Sequence, residues 1–409
     1  MSRKVIIIGA GAAGLMAACR AAERGLETIL LEKNDRPGRK LRISGKGRCN
    51  ITNNTDIDGL IQNIPGNGSF LYSSFYTFSN DDIMQFFRME GLDLKVERGG
   101  RVFPVSDDAR DVISVLVRRA EKSGAEIRYR SPVDSIEISD GAVKGVMLKS
   151  SEAIRCDSVV LATGGASYPG TGSTGDGYRM AQRLGHTVTP LKPSLVPLIC
   201  NEKWVRDLQG LTLKNVSVTI YDRNRKKVYT DFGEMLFTHF GVSGPVILSA
   251  SRHIMQYDYR DVFLSIDMKP ALSDEALDNR ILRDFEKYSR KQFKNSLDDL
   301  LPQKMIPVIT KLSQIPADKP VNQITKAERR ALAALLKGLT LEISGSRPIS
   351  EAIVTAGGIS TDEIEPATMG SRLIKGLFFA GEVIDVDGYT GGYNLTIAFS
   401  TGYVAGSNC

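Results

Sequence analysis

At 409 residues the chain exceeds the size at which one hydrophobic core keeps growing, so two or three domains are expected. Its 53 basic and 47 acidic side chains leave a net charge of +6, too small and too dispersed to argue for nucleic acid, and 42% hydrophobic residues suit an ordinary globular protein. Five scattered cysteines without a CxxC pair, and only three histidines, speak against a disulfide framework or a metal site and suit a reducing, cytoplasmic compartment.

Arg3 and Lys4 precede an apolar, small-residue run (5–19) that has the look of a secretion leader. Three glycines within six residues weaken it as a signal helix, and it runs straight on into a second strand, so the run is read as part of the fold. No window approaches ~18 uninterrupted apolar residues, so no membrane span is expected. Residues 5–8 are fully apolar, as in a parallel strand buried on both faces. A glycine turn, a helix over 11–24 stopped by Gly25, and a second strand over 28–31 complete a β-α-β unit. Further along, 107–122 reads as a helix with Ser106 as N-cap. Residues 133–138 and 143–148 flank Asp140-Gly141 as a hairpin, and 159–162 is another buried strand.

Beyond Pro190, Pro193 and Pro197 the texture changes. Residues 216–221 and 227–232 alternate like an antiparallel hairpin. Helical patterns cover 274–293 and 325–337, the second with a Thr325…Glu328 capping box and Gly338 as its stop. Buried-strand patterns return at 352–355 and Leu377–Phe379. The expected fold is therefore α/β: a Rossmann-like domain of discontinuous chain (1–190 and 346–409) around an insert (191–345), antiparallel over about 191–270 and helical over about 271–345.

Gly9-x-Gly11-x-x-Gly14 lies between the first strand and helix. The first glycine permits the tight turn, the second lets a pyrophosphate approach the backbone, and the third lets helix and strand pack closely. The helix N-terminus then faces the phosphates, and Glu32, closing the second strand, is placed for the ribose hydroxyls. This fingerprint fits NAD or FAD. Three later segments favour FAD: the strand into Ala162, Thr163 and Gly164, the strand into Gly381 and Glu382, and residues 387–394 before a final helix. Glu382 is placed for a ribityl or pyrophosphate-proximal hydrogen bond. A helix starting near Gly392 would aim its positive end at the flavin edge where charge collects on reduction.

Four stretches carry a family resemblance: GRKLRISGKGRCNITN (38–53), TGGASYPG (163–170), TAGG (355–358) and AGEVID (380–385). With them the sequence resembles the HI0933-like (YhiN/BaiN-type) flavoproteins from end to end. The resemblance implies non-covalent FAD, an inserted barrel-like and helical domain, and an oxidoreductase acting by hydride transfer at flavin N5. It implies cofactor contacts from the turn (Gly9, Gly11, Ala13, Gly14), from Glu32 and Lys33, and from the loop (Arg39, Lys40, Ser44, Gly45, Asn50). Val133, Ala162, Thr163, Gly164, Gly381, Glu382, Gly392, Asn394 and Leu395 complete that set.

NAD(P)H-linked reduction of a small carbonyl or enone is the leading expectation, with NAD(P)H bound only transiently because no second GxGxxG marks a nicotinamide domain. An oxygen-using oxidase of a small amine and a non-catalytic flavin-containing partner protein stand as alternatives. The expected partner is a small molecule, with neither nucleic acid nor membrane. Single Cys49 speaks against a dithiol mechanism, so a packed residue is expected there. Among acid–base candidates, His239, Tyr168 and Tyr389 lie in segments that suit the site, whereas His186 reads as a helix-end residue and His253 as surface. Arg280 to Lys294, with six cations against Asp284 and Glu286, reads as a solvated amphipathic helix.

Overall fold

The structure is a computed structural model that describes residues 3–409. The chain forms two compact units, one from the chain up to Ser194 together with Ile349–Cys409, the other from Leu195–Pro348.

In the first unit, strand β1 (Lys4–Ile8) is buried from Val5 to Ile8, as its β-branched run requires. It turns into helix α1 (Ala12–Glu23), which Arg24 and left-handed Gly25 end, and then into β2 (Glu27–Leu31). Helix α2 (Ala109–Lys122) follows later, then β3 (Glu126–Arg128), the hairpin β4 (Val133–Ser139) and β5 (Ala142–Leu148), and β6 (Ser158–Leu161). The N-cap of α2 is Asp108, whose carboxylate accepts from the Arg110 N–H, and not Ser106. Asp107 lies in the left-handed region at φ 56°, so the helix cannot include it. At the β4–β5 turn Asp140 and Gly141 both take positive φ, the geometry that favours this pair in two-residue hairpins.

The second unit is a closed six-stranded barrel with helices attached. Its strands are β7 (Leu198–Cys200), β8 (Thr212–Asp222), β9 (Lys227–Phe237), β10 (Gly241–Ser243), β11 (Val262–Asp267) and β12 (Leu339–Ser346), paired in the order β7-β10-β9-β8-β11-β12. Helix α3 (Pro245–Ile254) lies between β10 and β11, and α4 (Asp274–Lys287) and α5 (Lys326–Lys337) between β11 and β12. The expected helical stretch 271–345 therefore contains the closing strand. Helix α4 ends at Lys287, six residues before Phe293, where 3₁₀ and loop segments take over. The capping box of α5 is present as read, with Thr325 and Glu328 bonding reciprocally.

Back in the first unit, β13 (Leu377–Phe379) joins the main sheet and helix α6 (Tyr393–Asn408) ends the chain. Parallel strands run β13-β6-β1-β2-β3, extended beyond β13 by two short antiparallel pieces (Gly370–Ser371 and Ile364–Glu365). The buried-strand pattern read at 352–355 is the strand Val354–Ala356, which pairs antiparallel with Lys192–Ser194 in a ladder separate from the main sheet. Helix α6 packs on α1 at backbone distance. A Cβ on Gly402 would lie 2.4 Å from the Ala13 carbonyl oxygen, and one on Gly406 2.5 Å from that of Ala17. These two glycines, four apart on one helical face, let α6 bring its N-terminus to the C-terminal edge of the sheet.

Candidate functional site

A cavity of about 420 Å³ opens at that edge, lined entirely by residues of the first unit. Its floor is the turn from β1 into α1. Gly9 (φ 104°) lies against β6, where a Cβ would approach the Ala162 carbonyl oxygen to 2.6 Å, and a Cβ on Gly14 would overlap the Gly9 carbonyl oxygen. Gly11 differs: nothing lies within 4 Å of the place its Cβ would take. It is the N-cap of α1, has no side chain to cap the helix, and no acid follows in the first turn. The first N–H groups of α1 are thus left to an anion arriving in the open space, with the helix dipole adding to their pull.

Glu32 closes β2. Its Oε2 accepts from the Ala10 N–H at 2.9 Å, and its Oε1 from the Asn34 N–H and Nδ2 at 2.8 and 2.6 Å. A carboxylate has about four acceptor positions, so capacity remains for ribose hydroxyls. Lys33 turns to Thr174 and Asp176. Burial raises the Asp176 carboxyl, but hydrogen bonds from Lys33 and Thr174 outweigh it and hold the group below the usual carboxylate range. Arg39 donates to the Asn34 Oδ1 at 2.8 Å.

Lys40 donates to Glu382 Oε2 and to Ser167 Oγ, both at 2.7 Å. Glu382 also accepts from Ser167 Oγ at 3.0 Å and from the Thr355 N–H at 2.9 Å. The Thr355 Oγ1 in turn accepts from the Ala166 and Ser167 N–H groups. Three of the four resemblance-bearing stretches beyond the glycine turn thus meet on the Glu382 carboxylate, and the fourth supplies Lys40 to it. Asn394 and Leu395, in the first turn of α6, line the cavity from the other side. The Asn394 amide binds Gly388 through both its atoms and the Tyr389 carbonyl, so it braces the loop before the helix.

Of the residues anticipated as cofactor contacts, Gly9, Gly11, Ala13, Glu32, Lys33, Arg39, Lys40 and Ser44 line the cavity, as do Val133, Ala162, Thr163, Gly164, Gly381, Glu382, Asn394 and Leu395. Gly14, Gly45, Asn50 and Gly392 do not. Gly14 is a packing residue beneath the turn, and Gly392 lies against the Thr52 backbone as N-cap of α6. Gly45 lies against the Asn50 N–H, and the Asn50 Oδ1 is a buried acceptor with no partner among the described residues. Arg48 points away to Glu97 and Asp107 and stacks on Phe103 at 4.0 Å. Sequence reasoning missed Asn34, Lys149 and the Thr171–Asp176 wall; the Gly-rich run TGSTGDG (171–177) was the available signal.

Cys49 is fully buried, and burial pushes its thiol up to about 12, the state of a packed residue and not of a nucleophile. None of the acid–base candidates lines the cavity. Tyr168 is an exposed left-handed residue capping a 3₁₀ turn, Tyr389 belongs to the loop that Asn394 braces, and His239 is exposed in the second unit against Phe240. His253, read as surface, is half-buried and stacks on Tyr229 at 4.1 Å.

The cavity wall fits FAD. Lys33, Arg36, Arg39, Lys40 and Lys149 outnumber Glu32, Asp176 and Glu382 around an uncapped helix N-terminus, as a pyrophosphate requires. The second helix N-terminus, that of α6, stands on the same cavity, which a simple dinucleotide site does not need. The family model of the HI0933-like protein Rossmann domain matches residues 3–408. A ribosomal RNA dihydrouridine synthase of Escherichia coli (strain K12) is 33% identical over 97% of this chain and 96% of its own. A 3-dehydro-bile acid delta(4,6)-reductase of Clostridium scindens is 31% identical over 98% of each. Among solved structures, a 3-ketosteroid delta1-dehydrogenase from Sterolibacterium denitrificans shares the fold over 99% of both chains, with a TM-score of 0.54 at 14% identity. The chain belongs to the HI0933-like family and is an FAD-dependent oxidoreductase.

Proposed function

We propose that this protein reduces a carbon–carbon double bond conjugated to a carbonyl, with NAD(P)H as the electron source. The observation that carries the reading is that two relatives matching nearly the whole chain bear names describing one reaction on unlike scaffolds. Dihydrouridine is uridine saturated at C5–C6, beside the C4 carbonyl; a delta(4,6)-reductase of a 3-dehydro bile acid saturates carbons conjugated to the 3-oxo group. In the reaction proposed for this chain, a hydride goes to the carbon β to the carbonyl, a proton to the α carbon, and the π bond is lost while NAD(P)H becomes NAD(P)⁺. FAD, when bound, supplies the hydride-transferring N5.

The protein's own part is placement and charge. The turn Gly9–Gly14 and the first N–H groups of α1 would hold the pyrophosphate, with Arg39 nearby, and Glu32 the adenosine ribose. Glu382, fixed by Lys40, Ser167 and Thr355, would take the ribityl side, and the N-terminus of α6 would offset negative charge on the reduced ring. A uridine-containing RNA as substrate would set aside the expectation of no nucleic-acid partner, which came from the small and dispersed net charge.

Anaerobic stopped-flow mixing tests the reading. NADH or NADPH should bleach the flavin absorbance, and a 4-en-3-one steroid or a uridine-containing RNA should restore it without oxygen. Flavin that neither nicotinamide bleaches, but that a small primary amine reduces with peroxide release in air, would replace this reading with an amine oxidase.

A further inference from the structure

The net charge of the chain is not shared between its two units. The first holds 29 basic and 29 acidic side chains, while Leu195–Pro348 holds 24 basic and 18 acidic, so the whole excess of +6 belongs to the barrel-containing unit. The small total had hidden this partition.

Within that unit one end of the barrel carries four cations within five residues. Strands β8 and β9 are its longest, eleven residues each, and they meet in a tight turn carrying Arg223, Arg225, Lys226 and Lys227, all exposed. Tyr221 pairs with Lys227, and Asp222 with Val262 at the start of β11, so the turn lies beside Arg260. The turn is braced from within. The Asp222 carboxylate accepts from the Asn224 and Lys226 N–H groups at 2.9 Å, and the Arg225 guanidinium stacks on Phe263 at 4.6 Å. Arg223 reaches Asp261 while keeping three-quarters of its side chain exposed. The acids here are thus engaged in shaping the turn, and the lysines and arginines are presented in a fixed array at low ordering cost. The other basic run, Arg280 to Lys294, is a helix and loop in which Arg280 pairs with Asp284 and Lys287 with Asp299, leaving Arg283, Arg290, Lys291 and Lys294 as the matched set of cations for comparison.

We infer that the β8–β9 turn binds nucleic acid, as an array of cations for the phosphodiester backbone of an RNA substrate. The inference rests on the proposed function and deepens it: among conjugated double bonds, it selects a uracil ring carried on RNA over a free steroid. RNA is favoured over an anionic membrane because the turn residues 223–227 are all polar, with no apolar side chain among them to enter a bilayer, and because a whole-chain relative acts on ribosomal RNA.

The test uses the FAD-loaded full chain and a fluorescent, uridine-containing stem-loop of ribosomal RNA, with affinity read by anisotropy across a salt series. The variant Arg223→Ala/Arg225→Ala/Lys226→Ala/Lys227→Ala should bind at least about tenfold more weakly at roughly 0.1 M salt. Its salt slope should be shallower by about 3, since each phosphate left without its cation takes roughly 0.7 to 0.9 from the slope. The matched variant Arg283→Ala/Arg290→Ala/Lys291→Ala/Lys294→Ala should keep the wild-type slope. Unchanged affinity in the first variant, weakening in the second instead, or wild-type binding to phosphatidylglycerol vesicles but not to RNA would each overturn the inference. Turnover of a 4-en-3-one steroid by both variants, measured in parallel, reports on the proposed reaction separately. Its absence in the wild type, with RNA bound tightly by the wild type and weakly by the turn variant, would strike the steroid chemistry and leave the RNA-binding surface standing.

Discussion

At the scale of single residues, the three glycines of the turn have different duties that one motif conceals. Gly14 and Gly9 are demanded by the fold, because side-chain carbon at either would meet backbone oxygen. Gly11 is demanded only by the ligand: its φ of −85° suits any residue and its surroundings are open. Gly11→Ala should therefore move the stability of the FAD-free protein by no more than about 0.5 kcal/mol, as a tolerated surface change does, while weakening FAD binding at least about tenfold. Gly14→Ala should cost about 3 kcal/mol or more of stability whether FAD is present or not, as overpacking against a rigid backbone does. The comparison is made by denaturant titration and by flavin fluorescence on the same two variants. Equal loss of stability in both would show that Gly11 is a packing glycine after all.

At the scale of elements, His186 shows how a residue read as a helix end becomes a fastener. It follows the helix Asp176–Arg183, and its ring lies fully buried between Glu363 and Ser371, 2.9 Å from each. The Ser371 hydroxyl oxygen already accepts from the Leu373 and Ile374 N–H groups, so its proton goes to Nε2 and Nδ1–H donates to Glu363. The ring is therefore neutral, and it ties the helix to the edge of the main sheet. Burial lowers its pKa below the usual 6.5, against the opposing pull of Glu363. The folded state thus binds fewer protons than the unfolded one below about pH 6.5, and stability falls as pH drops through that value towards the folded pKa. The slope this one site contributes is at most about 1.4 kcal/mol per pH unit. In His186→Gln the stability curve between about pH 7 and 5.5 should be flatter than in the wild type, read from urea midpoints. Parallel curves would mean that the ring takes up its proton in place.

What was legible at this scale was what local physics decides. The β1–α1–β2 unit, the Asp140-Gly141 turn and the α5 capping box depend on residues a few positions apart, and each stands where periodicity and turn chemistry put it. Strand β12 and the Lys192–Ser194 ladder depend on partners far along the chain, so their pairing left no local trace. The same division runs through the candidate site. Glycines and Glu32 are set by the motif, whereas the use of Asp176 to hold Lys33 and of Lys40 to hold Glu382 comes from side chains 143 and 342 positions apart meeting in space. Charge followed suit: a total of +6 is uninformative until the fold divides it.

At the scale of the whole molecule, the cavity draws on one unit alone, and that has a thermodynamic consequence. A ligand that binds only the folded state stabilises what it binds by RT ln(1 + [L]/Kd), about 2.7 kcal/mol at a hundredfold excess over Kd. Every residue lining the cavity belongs to the first unit, so FAD should raise the unfolding temperature of that unit and leave the barrel-containing unit where it is. The chain carries its own reporter for the comparison, because its single tryptophan, Trp204, lies in the second unit near Phe237. Calorimetry of FAD-free protein titrated with FAD should show one transition climbing by several degrees, while the transition followed by Trp204 emission stays fixed. If instead the tryptophan transition climbs in step with the flavin, the two units unfold as one cooperative body. FAD would then stabilise the barrel as well, and FAD loading would also govern how firmly the basic β8–β9 turn is held out to RNA.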